Sequence, residues 1–195
     1  MEKQIVVRTL QLEDIPSVAE LLSEAFYGGH GWTGWAAPIL KLGIYQDLKS
    51  RYLSQPSQHI CLVGIQVSQR ELPIVAGTVE LAVRPLLAWG TFNASVPYIS
   101  NLAVARSFRR RGIGRQLLLA CEPIAQHWQH DTLYLHVKKD NQVARGLYFN
   151  LGYRRQQDEI PVWARLFGQS QQLLMSKSLQ LNLKSSRSAQ TQQLT

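Results

Sequence analysis

With 195 residues and 45% hydrophobic content, the chain suits a single core that buries roughly 70% of its unfolded surface; two complete domains do not fit. Charged residues at 17%, with 13 glycines and 8 prolines, exclude disordered, fibrous and collagen-like classes. The formal charge of +8, from 21 Lys and Arg against 13 Asp and Glu, favours anionic partners without choosing among them.

Ile5 to Arg8 alternates weakly and reads as a first strand. Asp14 is placed to cap a helix with Pro16 in its first turn. Ile15, Val18, Ala19, Leu22, Ala25 and Phe26 then recur on one face until Gly28 and Gly29 end it. Gly28 to Pro38 carries Trp32 and Trp35 among glycines and reads as a loop; Ile39 to Leu53 reads as a second helix. His59 to Ser68 and Ile74 to Arg84 are rich in β-branched residues and form a hairpin across Gln69 to Pro73. After a loop from Pro85 to Pro97, Tyr98 to Val104 is a strand and Gly112 to Trp128 a helix, with apolar spacing through Ile113, Leu117, Cys121 and Ile124. Pro123 lies inside that helix. Its missing N–H costs about 3 kcal/mol unless the helix bends or ends, so a kink is expected. Leu133 to Val137 is a strand, Val143 to Leu151 a helix closed by Gly152, Tyr153 opens an extended stretch, and Gln171 to Leu179 is a last strand. This order makes an α/β (α+β) chain with a mixed sheet. Residues 1–183 read as one domain and the Ser/Gln/Thr-rich stretch 184–195 as a disordered polar tail.

Cys61 and Cys121 both fall in apolar runs and read as small buried hydrophobes, so no disulfide framework is expected. Five histidines form no HExxH pair, and no carboxylates stand at ligand spacing, so no metal is expected. No apolar run approaches a membrane span, and Glu13 and Asp14 interrupt any secretory leader; the expectation is a soluble, cytoplasmic protein without membrane contact.

The segment Arg109-Arg110-Arg111-Gly112-Ile113-Gly114-Arg115 stands between a strand and an amphipathic helix. A helix start leaves backbone N–H groups unpaired and carries partial positive charge, and residues without a Cβ let an anion approach it. This pattern predicts a phosphate seat. It lacks the GKS or GKT of a Walker A loop and is not a dinucleotide GxGxxG. A turn with solvated arginines is the plainer reading of the heptapeptide alone.

Four pieces in order carry a resemblance. A strand ends in Leu102-Ala103-Val104, Arg109-x-x-Gly112-x-Gly114 follows, Asn141 comes after the next strand, and Ala144 to Tyr153 matches A-x-x-L-Y-x-x-x-G-F/Y. From Tyr98 to Tyr153 the chain thus resembles the GNAT superfamily of N-acetyltransferases. Pro97 to Val104 together with Phe108 to Gly114 is similar to the plastid-type branch, whose members acetylate protein N-termini and lysine side chains.

The resemblance implies a mixed, mostly antiparallel twisted sheet flanked by helices, with a splayed central strand pair. It implies acetyl-CoA as co-substrate, its pantetheine along Leu102, Ala103 and Val104 and its pyrophosphate against Arg109, Arg110, Arg111, Gly112, Ile113, Gly114 and Arg115. Asn141 closes the other side. Arg110, Arg111 and Arg115 meet either phosphates or only water. Tyr148 falls on the family's tyrosine position, as proton donor to the departing sulfur; its plainer reading is a core aromatic. The family's strand glutamate is replaced by Ser100 and Asn101. Glu80 in the adjacent strand is the substitute general base, with an exposed strand carboxylate or a water relay as alternatives. Trp32 and Trp35 either wall the acceptor pocket or anchor their loop. The expected reaction is acetyl transfer to a primary amine, with a peptide or protein acceptor favoured because a basic surface repels polyamines. A small-molecule amine acetyltransferase, a non-catalytic acyl-CoA sensor and an RNA-contacting basic module are the alternatives. Nucleic acid is disfavoured by the absence of RNP, GXXG or recognition-helix patterns.

Overall fold

A computed structural model describes residues 4–27, 37–68, 72–85, 95–156 and 172–179. The expected Trp32 and Trp35 loop and the tail 184–195 lie outside the described residues.

The described chain runs β1 (Gln4–Thr9), α1 (Ile15–Tyr27), α2 (Ala37–Ser54), β2 (His59–Val67), β3 (Ile74–Pro85), β4 (Ser95–Val104), α3 (Ile113–His127), β5 (Thr132–Lys138), α4 (Gln142–Asn150), β6 (Arg154–Arg155) and β7 (Gln172–Ser178). These strands form one sheet in the order β1-β2-β3-β4-β5-β7-β6. Every pairing is antiparallel except β4 with β5. That exception follows from connection length, since α3 returns the chain to the same end of the sheet and only such a crossover permits a parallel neighbour.

Strand alternation divides the apolar residues between two faces. On one, Val79, Leu81, Ile99, Leu133 and Leu135 pack with Ile113, Leu117 and Cys121 of α3 and with Tyr148 of α4. On the other, Val63, Ile65 and Ala103 meet Ile15, Val18 and Leu22 of α1 and Leu48 of α2. Toward the outer ends the apolar pattern stops being buried: Phe26 on α1 and Ile39, Leu42 and Leu53 on α2 are exposed.

Several local readings need correction. Asp14, expected as the cap of α1, ends a short 3-10 turn from Leu12. Its carboxylate turns back to accept from the Gln11 amide at 2.8 Å and from both terminal nitrogens of Arg8 at 2.6 and 3.0 Å. The fork geometry of that arginine is a stronger donor set than a helix amide. Pro97 belongs to β4 rather than to the preceding loop; it pairs with Val83 and comes just before the first β5 partner, Tyr98. Helix α3 continues through Pro123 to His127. Cys121 is buried as expected, with its thiol donating to Leu117 O at 3.4 Å, whereas Cys61 is half-buried beside Thr78.

Helix α3 can sit close to the sheet because two strand positions carry no Cβ. A methyl group at Gly77 would lie 3.0 Å from Ala103 O, 3.1 Å from Ile113 Cγ2 and 3.1 Å from Leu117 Cδ1; at Gly64 it would meet Ile113 Cγ2 at 3.2 Å. The carbonyl is backbone and cannot swing away. Gly77→Ala is therefore expected to cost about 1–3 kcal/mol through overpacking, read as a lowered midpoint in chemical denaturation. A wild-type midpoint would contradict this seating of α3.

Candidate active site

The site begins with a misfit in β4. Thr78 pairs with Ala103 and Glu80 with Ser100, so Asn101 and Leu102 together stand opposite Val79 alone. Asn101 takes the left-handed conformation at φ 52°, which asparagine tolerates better than most side chains. Such a bulge bends its strand and increases the local twist. Correspondingly, β4 pairs with β5 only at Tyr98 with Tyr134 and Ile99 with Leu135. From Ser100 to Val104 the two strands part, and the backbone at Leu102 and Val104, expected to face a ligand, has no β5 partner in the ladder.

Beyond the fork, a 3-10 turn from Arg106 to Phe108 leads into the loop before α3. Arg110 and Gly112 both have positive φ, 65° and 78°. Gly112 is the residue before the helix, and a Cβ there would have no neighbour within 4 Å. The first turn closes when Gln116 N donates to Gly112 O at 3.0 Å. The amides of Ile113, Gly114 and Arg115 precede that bond, so they are the orphan donors of a helix start. Gly114 serves packing, since a Cβ there would lie 3.3 Å from Leu147 Cδ2 and 3.7 Å from Val104 Cγ2. It brings α3, the end of β4 and α4 together.

The arginines divide their work. Arg109 Nε donates to Val104 O at 3.2 Å, fastening the strand end to the loop, and the Arg111 guanidinium lies 5.4 Å over the Phe108 ring. Asn141 caps α4, its Oδ1 accepting from Ala144 N at 3.1 Å. Tyr148 is buried on α4, edge-on to Tyr153 with centroids 5.8 Å apart. Burial, with a smaller contribution from nearby Tyr98, raises its pKa to about 12, so the phenol keeps its proton at neutral pH.

Sequence reasoning passed over one pair at the base of the fork. Tyr98 Oη lies 2.6 Å from His136 Nδ1 and accepts from His136 N at 3.0 Å. The Arg84 guanidinium covers the Tyr98 ring at 3.3 Å. Where β4 leaves β5, the amide of His136 needs another acceptor, and the tyrosine hydroxyl provides it. The sequence put Tyr98 in a strand; nothing in the linear pattern linked it to a histidine on β5.

The comparisons with known proteins agree with this geometry. The family model for "Acetyltransferase (GNAT) family" matches residues 15–153. The chain belongs to the GNAT acetyltransferase family. GCN5-related N-acetyltransferase 10, chloroplastic, of Arabidopsis thaliana is 32% identical over 131 residues, 64% of this chain and 51% of that one. This GNAT chain thus spans about half the length of that curated relative. The fold matches PaiA N-acetyltransferase from Thermoplasma acidophilum in complex with coenzyme A, with TM-score 0.63, 18% identity, and 90% and 99% of the two chains covered. It also matches a chain of the NatC complex bound to Gag peptide and CoA, with TM-score 0.63, 18% identity, and coverage of 91% and 99%. Among the described residues no helix is long and apolar enough to cross a membrane, and no cluster of His, Cys, Asp and Glu could hold a metal ion.

Glu80 occupies a setting the sequence reading did not foresee in this GNAT sheet. Its side chain is only 2% exposed. Oε1 accepts from Arg51 of α2 and from His59 Nε2 of β2, and Oε2 accepts from Asn101 Nδ2 at 2.6 Å. Burial alone would raise the carboxyl pKa, but the His59 bond and the charge and bond of Arg51 together bring it down to about 2. An anion so held, with most of its acceptor positions filled, is a weak proton acceptor. The expected general base is therefore an anchored ion.

Because the folded value lies below the ordinary 4.5, the contribution of Glu80 to stability is complete above that pH and is lost as pH falls toward about 2. The gap corresponds to roughly 3 kcal/mol. The thermal midpoint of the wild type should fall more steeply between about pH 5 and pH 2 than that of Glu80→Gln. Parallel melting curves across that range would contradict the assignment.

Proposed function

We propose that this chain transfers an acetyl group from acetyl-CoA to a primary amine on a peptide or protein. The observation that carries the reading is the fork: a central strand bared from Ser100 to Val104, ending at a helix start with unpaired amides. A diphosphate fits the amides of Ile113, Gly114 and Arg115, with the open position over Gly112 admitting it and Arg110 and Arg115 adding positive charge. The extended pantetheine arm, which carries amide groups, is suited to pair with Leu102 and Val104 as a strand would.

Bound there, acetyl-CoA supplies an activated thioester. The protein's part is to orient it and manage charge and protons. A free backbone N–H near Val104 stabilises the developing oxyanion. Tyr148, a protonated phenol by virtue of its burial, donates to the departing sulfur. To Tyr98 we assign the amine-side proton, its own passing to His136 Nδ1, 2.6 Å away. This relay takes the role first assigned to Glu80. The mechanism requires no metal.

A peptide or protein acceptor is favoured over a small polycation by the formal charge of +8. The peptide bound in the structurally similar NatC complex is consistent with that class. Trp32 and Trp35 remain acceptor-side proposals from the sequence.

The decisive assay is mass spectrometry of a peptide and metabolite library after incubation with acetyl-CoA. Acetylated peptide amines are expected; acetyl-CoA binding without any acetylated product would instead support a sensor. Tyr148→Phe is expected to lower kcat about 100-fold while acetyl-CoA affinity measured by calorimetry stays within about twofold. An unchanged kcat would remove Tyr148 as the acid.

A further inference from the structure

Glu80 is not part of the cofactor-facing backbone, yet its three partners come from three separate elements. Arg51 reaches it from α2 and is itself bound to Asp47 one turn earlier, through Nε at 3.1 Å and a second contact. His59 reaches it from β2, with only positions 55–58 between it and the end of α2 at Ser54. Asn101 reaches it from the left-handed position of the β4 bulge. Directly across the sheet its neighbours are Cys61 on β2 and Ser100 on β4. Burial holds the Cys61 thiol protonated, pushed up to about 12, so the charged groups meeting the carboxylate are Arg51 and, when protonated, His59.

We infer that Glu80 is a positioning residue: through Asn101 it fixes the β4 bulge that opens the fork, and through Arg51 and His59 it couples that bulge to α2 and β2. The inference rests on the fork being the acetyl-CoA site. Its physical basis is that the left-handed backbone, though better tolerated by asparagine than by most residues, still lies above the ordinary strand conformation, so it persists at Asn101 where its surroundings hold it. A buried anion whose own position is set by two cationic or N–H donors is a stiff acceptor for the Asn101 amide. If the tether is cut, the bulge is free to shift, and with it the direction of the Leu102 and Val104 backbone. The expected loss is therefore in acetyl-CoA binding more than in the chemical step.

Two variants test it. Glu80→Gln removes the charge that holds Arg51 and His59, and Asn101→Gly keeps the left-handed backbone but removes the tether. Folding is checked by circular dichroism, and Asn101→Gly carries the test should Glu80→Gln not fold. Hydrogen exchange read by mass spectrometry should show β4 peptides containing Asn101 to Val104 exchanging at least tenfold faster in each variant, with β5 peptides little changed. The acetyl-CoA KM should rise about tenfold, while kcat at saturation falls less than threefold and its pH profile keeps its acid limb. The double variant should be no worse than the more affected single one, since both cut the same link. Unchanged exchange in β4 overturns the coupling, whatever acetyl-CoA does. A collapse of kcat with loss of the acid limb and unaltered acetyl-CoA KM also overturns it, in favour of a general base. Failure of the wild type to bind acetyl-CoA overturns the fork as the cofactor site, and the exchange measurement still judges the tether.

Discussion

Strand β4 has to be paired on one side and bare on the other, and the bulge at Asn101 and Leu102 reconciles the two demands. On the β3 side the ladder resumes at Thr78 with Ala103 after absorbing the additional residue; on the β5 side it stops at Ile99. A buried strand with unpaired backbone is costly, so the surrounding structure has to hold the fork open. Tyr98 takes up the His136 amide at the base of the fork, Arg109 takes the Val104 carbonyl at its tip, and Asn101 is tied to Glu80 between them. What remains open is a short run of main chain aimed at a helix start.

The helices are positioned by the same region. Gly64 and Gly77 let Ile113 come down onto the sheet, and Gly114 lets the first turn of α3 approach Val104 and Leu147. The orphan amides of α3 are thus held at the mouth of the fork by apolar contacts together with the Arg109 bond to the Val104 carbonyl. Of the four arginines at residues 109–115, Arg109 and Arg111 already have partners on the protein, and Arg110 and Arg115 are the two assigned to a ligand.

Much of this was legible in the linear sequence where the signal is local. Helical spacing located α1 and α3, runs rich in β-branched residues located β2 and β3, and the Arg109 to Gly114 loop and the Ala144 to Tyr153 segment marked the two sides of the fork. What escaped depends on contacts between distant positions. Glu80 looked like a base because its partners Arg51, His59 and Asn101 lie 29, 21 and 21 residues away. Tyr98 and His136 are 38 residues apart and meet only because α3 makes β4 and β5 parallel neighbours. Asp14 has the residue type and place of a helix cap, but Arg8, six residues back, competes for its carboxylate with better geometry. The glycines of β2 and β3 gave no sign that they seat a helix, because that requirement arises only when the faces are assembled.

The fork is best judged by a crystal structure with acetyl-CoA bound. The diphosphate is expected within hydrogen-bonding distance of the Ile113, Gly114 and Arg115 amides, the pantetheine arm along Leu102 and Val104, and the thioester between Tyr98 and Tyr148. Coenzyme bound on another surface, or β4 and β5 paired continuously through Val104, would contradict it.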